Sequence, residues 1–294
     1  MQPKNRKAEK MKEKSSAVLN EFKSRYNRTC SIGDLTPTLC EFFGIKEPDC
    51  CGATAVPPVA DQVARTMGEG KMERVVLFCA DAMGEHQREH FPEVFERIEK
   101  VAPFRIPSVA VMPSVTPVCY GTIFSGAAPC VHGIQKYEKP VLQIETLFDV
   151  LSRAGKNVAI VAVNECSIDR IFRNRDVDYF SFRTDEQSFE CTQELIKRNE
   201  YDLIVCYMTQ YDALQHKTGC FSPECTAQAY IAAERFEQLA ADMDQYYAGS
   251  NRALVFVPDH GGHLIDENHG THGFDIPEDM LVSHYYRLRE KSEK

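Results

Sequence analysis

The sequence predicts one α/β domain: a largely parallel central sheet with helices on both faces. Three observations carry that reading. Short apolar runs recur along the chain, at 75–80 (VVLFCA), 158–163 (VAIVAV), 202–208 (DLIVCYM) and 253–257. Strands buried on both faces read in this way. Between them lie helix-patterned stretches near 91–100, 143–154, 185–198 and 223–247, and such strand–helix alternation specifies parallel crossovers. With 294 residues and no internal repeat, the chain has enough length for a single large core.

Taken in order, residues 1–28 read as a basic helical arm, solvated or partly frayed, and 29–294 as the main domain. In SIGDLTPTLCEFFGIKEP (31–48), Asp34 or Thr36 can cap a short helix, Pro37 suits its first turn and Gly44 its end. Leu35, Leu39, Phe42 and Phe43 would give that helix one buried face. Gly and Pro punctuate 49–73, with one helix near 57–67. The strand at 75–80 runs into Asp81, and RIPSVAVMP is strand-like. Thr116 follows it and opens a helix toward Phe124; 177–182 is a further short strand.

Composition narrows the function classes. A net charge of -9 argues against nucleic acid or an anionic membrane as the main partner, and oligomeric state is not written in the sequence. The charged N-terminus does not read as a secretory signal. The twelve cysteines, several set inside apolar patterns (Cys40, Cys79, Cys206), therefore predict free thiols in a reducing cytoplasm.

The chemistry concentrates at strand ends. In 254–275, LVFVPDHGGHLIDENHGTHGFD, Pro258 ends a buried strand and Asp259 and His260 follow at once, then His263, His269 and His272. Four of the nine histidines thus sit beside an aspartate at the sheet edge where α/β proteins bind ligands. Asp81 ends another strand. Asp212 and His216, four apart after the 202–208 strand, share one face of a helical turn. Converging carboxylates without a balancing Lys or Arg call for cations, and imidazole plus carboxylate suits zinc, less often manganese or iron. Thr116 at its helix start is either a simple N-cap or a hydroxyl poised where an oxyanion is favoured.

Together, Asp81, Thr116, Gly126, PCVHGI (129–134), DALQH (212–216), DHG (259–261) and HG (272–273) resemble the alkaline phosphatase superfamily. The nearest resemblance is to nucleotide pyrophosphatase/phosphodiesterase-like enzymes, over about residues 74–283. The resemblance implies a threonine nucleophile, Thr116, and two divalent ions, zinc foremost with manganese as the alternative. One ion would be held by Asp212, His216 and His272, the other by Asp81, Asp259 and His260 with Thr116 beside it. The substrate implied is a small-molecule phosphate mono- or diester. His263 would stand behind the ligands, and His132 would pack rather than ligate.

Two departures qualify the resemblance. Where diesterases carry an Asn that grips a phosphoryl oxygen, this chain has Cys119, a weaker donor. That favours, as an alternative, a non-catalytic metal-binding homologue; a phosphoryl or head-group transferase on the same scaffold is a third reading and would need an acceptor site. Further, the helix that closes many superfamily members near the C-terminus is matched here at 31–48, near the N-terminus. This predicts a permuted chain whose residues 31–45 pack beside a strand at 280–287.

Overall fold

The structure is a computed structural model that describes residues 3–67 and 70–292. Its main sheet has eight strands: β1 (Cys30–Ser31), β2 (Arg74–Ala80), β3 (Phe104–Val109), β4 (Val158–Val163), β5 (Asp178–Phe182), β6 (Leu203–Met208), β7 (Arg252–Phe256) and, after a small hairpin, β10 (Leu281–Arg289). The hairpin strands are β8 (His263–Asp266) and β9 (His269–Thr271). The spatial order is β1-β3-β10-β7-β2-β6-β4-β5. β7, β2, β6, β4 and β5 run parallel, as expected, while β10 lies antiparallel between β7 and β3.

The apolar runs are buried on both sides because each strand feeds two cores. Val75, Leu77 and Cys79 of β2 face one cluster; Val76, Phe78 and Ala80 face the other. Alternation of side chains along a strand dictates that split. Long helices such as Pro223–Tyr246 and Asp185–Arg198 cover the second face. The helix expected at 143–154 is shorter, Leu147–Arg153. Thr146 stops it from extending backward: its amide and hydroxyl both go to Asp149, at 2.7 and 2.8 Å, in an N-terminal box.

The segment near residue 35 forms a helix, Leu35–Phe43, ended by Gly44 at φ 64. Asp34 stands at its N-cap but turns its carboxylate elsewhere, accepting from Ser31 N at 2.9 Å, Thr54 N at 3.1 Å and Lys23 at 2.8 Å. Leu35, Leu39, Phe42 and Phe43 join the same cluster as Val282, Tyr286 and Leu288 of β10. Thr36 donates to the Ile123 carbonyl at 2.7 Å, and Met72 N reaches Phe42 O at 2.9 Å as the chain turns into β2. The helix and β10 thus contribute side chains to one apolar face.

The N-terminal arm departs from expectation. It is a helix, Pro3–Arg25, but it is docked rather than solvated. Leu19 and Phe22 are buried in the first cluster, and Ser15 Oγ accepts from the Ala128 amide at 2.7 Å. Gly52 lies so close that a Cβ there would meet Ser15 and Ser16 at 2.5 Å. The excess of Lys and Arg hid this contact, because the apolar stripe is short and confined to the last two turns. Leu19→Ala should therefore destabilise the protein by about 2–5 kcal/mol, the range for emptying a buried leucine site. Urea unfolding reads the loss; a change within about 0.5 kcal/mol, normal for a surface residue, would return the helix to solvent.

Candidate metal centre and nucleophile

Three neighbouring parallel strands deliver the acidic residues. β7, β2 and β6 are paired in register, so their carboxyl ends finish side by side. Asp81 follows β2, Asp259 follows β7, and the helix Gln210–Thr218 follows β6 with Asp212 and His216 on one face. The Gly261-Gly262 pair lets the chain after Asp259 pass through a crowded place. A Cβ on Gly261 would sit 2.0 Å from Glu278 O, and one on Gly262 would sit 2.4 Å from Gln215 Oε1; no side chain fits there.

The first donor group is Asp81, Asp259 and His260, whose ligating atoms lie within 4.8 Å of one another. All three are buried. Asp81 Oδ2 accepts from the Tyr207 hydroxyl and Asp259 Oδ1 from the Ala82 amide at 3.3 Å. The other oxygens, Asp81 Oδ1 and Asp259 Oδ2, are buried without a hydrogen-bond partner. His260 Nδ1 is engaged by the Gly261 carbonyl at 2.8 Å, which assigns the proton to that nitrogen. Its Nε2 lone pair then points at those same oxygens, 3.4 Å from Asp81 Oδ1 and 3.3 Å from Asp259 Oδ2. Three electron-rich atoms thus face one another in a dry site, an arrangement a cation relieves.

The second group uses the same device. His216 Nδ1 meets the Gly270 carbonyl at 3.0 Å and His272 Nδ1 the Ser114 carbonyl at 2.9 Å. Their Nε2 atoms come within 3.2 Å of each other and lie 3.4 and 3.3 Å from Asp212 Oδ1. Carbonyl-anchored imidazoles with opposed lone pairs are how proteins orient histidine ligands. His260 also belongs here: its donor atom, with those of Asp212 and His272, fills a set within 4.8 Å, and its ring stacks on His272 with centroids 3.9 Å apart.

The protonation balance agrees with a cation site. Burial, then the charges of Asp259 and Asp212, push Asp81 well above the ordinary carboxylate range. Burial pushes Asp259 up to about 7. His260 is pulled down to about 3 by burial and by His272, so it stays neutral. Burial would raise Asp212, but hydrogen bonds with His216 and His272 outweigh it and hold it low. His216 rises through its contact with Asp212, and His272 rises for the same reason against the opposing pull of burial.

Thr116 begins the helix Thr116–Ile123, and its Oγ1 lies 3.3 Å from His260 Nε2. Thr116 is not the N-cap; Val115 holds that place, and its carbonyl takes the Val118 and Cys119 amides at 3.0 Å. The helix therefore offers its dipole more than a cradle of free amides. Cys119, one turn on, is fully buried in the apolar cluster behind the hydroxyl, and burial drives its thiol well above its usual range. His132 packs against Gly121 and bonds Thr122 Oγ1 at 3.1 Å. His269 sits exposed on the hairpin beside Asp266, outside the cluster. His263 bonds buried Asp279 at 2.7 Å.

Sequence reasoning missed three supporting residues. Tyr207 reads as a core residue of β6, yet its hydroxyl pins Asp81. Gln215, inside DALQH, donates to Asp212 at 2.7 Å. Asp279 accepts from Phe274 N at 2.9 Å as well as from His263; its spacing from DHG carried no visible signal.

Asp81 and Asp259 have raised folded values, so their contribution to stability is complete below the unfolded carboxylate value near 4 and is lost as pH climbs, for Asp259 through about 7. A cation needs the deprotonated forms and removes that penalty. The rise in melting temperature on adding zinc should therefore grow from about pH 5 to about pH 8. Paired melts with zinc and with a chelator measure it. An equal rise at both ends would mean that these carboxylates are not ligands.

Comparison with known proteins places the geometry. The family model for type I phosphodiesterase / nucleotide pyrophosphatase matches residues 76–287. No curated protein sequence matches the chain. Among solved structures, murine ectonucleotide pyrophosphatase/phosphodiesterase 5 superposes with a TM-score of 0.55 at 15% identity, over 66% of this chain and 58% of that one. Phosphonoacetate hydrolase from Sinorhizobium meliloti in complex with phosphonoacetate gives 0.50 at 18% identity, over 67% and 59%. The C-terminal periplasmic domain of phosphoethanolamine transferase EptC from Campylobacter jejuni gives 0.52 at 11% identity, over 74% and 80%. The chain spans under two thirds of the length of the first two, and at these identities the likeness is one of fold. With its sheet, its strand-end acids and the match over 76–287, the chain belongs to the type I phosphodiesterase / nucleotide pyrophosphatase family, within the alkaline phosphatase superfamily.

Proposed function

We propose that the protein hydrolyses small-molecule phosphate esters, mono- or diesters, with Thr116 as nucleophile and two divalent metal ions as cofactors. The observation that carries this reading is the Thr116 hydroxyl 3.3 Å from His260 Nε2, beside buried carboxylate oxygens that lack partners. Asp81, Asp259 and His260 would hold one ion, with Thr116 alongside; Asp212, His216 and His272 would hold the other. The donor chemistry favours zinc, with manganese second. Bound there, the ions supply Lewis-acid charge that lowers the hydroxyl's pKa and neutralises phosphoryl oxygens.

The chain's own residues do the rest. The helix start fixes Thr116, so its oxygen attacks phosphorus in line; the Oγ1–P bond forms as the ester P–O bond breaks, the hydroxyl proton passes to solvent, and the leaving alkoxide is protonated there. Water then attacks the phosphothreonine, breaks the Oγ1–P bond and restores the hydroxyl. Tyr207 and Gln215 keep the carboxylates oriented through both steps, as partners behind a ligand do. The buried thiol of Cys119 is a weak donor at best, so it adds little grip on the phosphoryl group. That weakness favours a second reading, a metal-binding homologue without turnover. The twelve cysteines are all free, which fits a reducing, cytoplasmic setting. No helix among the described residues is long and apolar enough to cross a membrane.

Thr116→Ala should lower turnover of an aryl phosphate ester by on the order of a thousandfold or more, the scale for deleting a nucleophile, with metal content unchanged. Retained turnover would sink the covalent step, and absence of turnover in the unaltered protein with zinc or manganese would select the second reading. Asp259→Asn and His216→Ala should each reduce bound metal in elemental analysis; full occupancy in both would remove these residues from the ligand set.

A further inference from the structure

The loop that carries His272 is tied at one end to the site and at the other to the N-terminal helix. On the site side, His272 Nδ1 meets Ser114 O at 2.9 Å, Ser114 Oγ donates to Phe274 O at 3.2 Å, and Asp279 accepts from Phe274 N. Between the first two contacts the backbone turns through Gly273 at φ 107, a left-handed conformation open to glycine. The loop is therefore set by its tethers rather than by regular structure. Three residues beyond His272, Asp275 meets the last turn of the helix Pro3–Arg25. Arg25 pairs with Asp275 Oδ2, and the Tyr26 hydroxyl donates to Oδ1 at 2.6 Å. Burial and this carboxylate keep the Tyr26 phenol protonated, so it remains a donor.

The helix end is itself a fixed point. Leu19 and Phe22 are buried and Lys23 pairs with buried Asp34 at 2.8 Å. Arg25 is further braced by Glu21 at 2.7 Å. An ion pair this exposed adds little to global stability. What two donors on one carboxylate do fix is direction. The helix lies outside the family-matched span 76–287.

We infer that Arg25 and Tyr26 are positioning residues for the metal centre: by holding Asp275, they place His272 and so couple docking of the N-terminal helix to cation affinity. This rests on the reading of His272 as a ligand, but not on turnover. The test is zinc titration against a competing chelator, with amide hydrogen exchange across 270–280, for the unaltered protein, Tyr26→Phe, Asp275→Ala, Arg25→Lys and Leu239→Ala. Tyr26→Phe and Asp275→Ala should weaken zinc binding roughly tenfold, the low end for residues that act through a ligand, and speed exchange at Phe274. Arg25→Lys, which keeps a cation on the carboxylate, should recover most of the affinity. Leu239→Ala, which empties a buried site in the second cluster, away from both the N-terminal helix and the loop, should leave affinity near that of the unaltered protein. Unchanged affinity and exchange in Tyr26→Phe and Asp275→Ala would overturn the inference, as would an equal loss in Leu239→Ala, which would make the effect general destabilisation. If the protein binds zinc but turns over no ester, the catalytic proposal fails while this one is still decided by affinity.

Discussion

Much of this structure depends on one electrostatic constraint: electron-rich atoms are gathered, with no Lys or Arg ion pair among the described residues, into a buried space at the carboxyl end of a parallel sheet. Asp81, Asp259 and His260 are each buried, and two of the carboxylate oxygens have no donor. Left unneutralised, ionised carboxylates in such a place cost several kcal/mol each. The raised values of Asp81 and Asp259 express that cost. A protein keeps such a site when something positive is meant to occupy it.

The fold is what makes the gathering rigid. Strands β7, β2 and β6 lie side by side in a two-sided core, so their ends cannot move independently. Each candidate donor is then aimed by a second contact. Tyr207 and the Ala82 amide hold the two carboxylates, and the carbonyls of Gly261, Gly270 and Ser114 hold the three imidazoles. Assigning each imidazole proton to a carbonyl leaves Nε2 free toward the centre. The glycine pair after His260 serves the same end by letting backbone pass where a Cβ would collide with Glu278 O or Gln215. Thr116 is carried in by a different element and meets the cluster through His260, so the hydroxyl and the candidate donors are positioned independently.

The N-terminal part of the chain lies outside the family-matched span 76–287 and still reaches the edge of the candidate site. The helix Leu35–Phe43 supplies apolar side chains to the core cluster shared with β10, and the helix Pro3–Arg25 docks beside β1 and β3 and reaches the loop after His272. Its cohesion with the domain comes from a few buried side chains near its end, not from its overall character, which is polar and basic.

By itself, the sequence determined the strand order of chemistry along the chain. Uninterrupted apolar runs ending in Asp81, Asp259 and the Asp212–His216 pair were readable because burial on both faces demands continuous hydrophobicity and because i, i+4 spacing defines a helix face. The place of Thr116 at a helix start was readable for the same local reasons. What only the tertiary structure decided is which strands are neighbours, and hence which acids meet. It also revealed that β10 enters antiparallel and that the basic N-terminal helix is docked. The supporting roles of Tyr207, Gln215 and Asp279 emerged there too. These depend on contacts between residues far apart in the chain, such as Tyr207 with Asp81 or Tyr26 with Asp275. Local pattern records which face of an element is apolar; it does not record what that face, or a single hydroxyl on it, will touch.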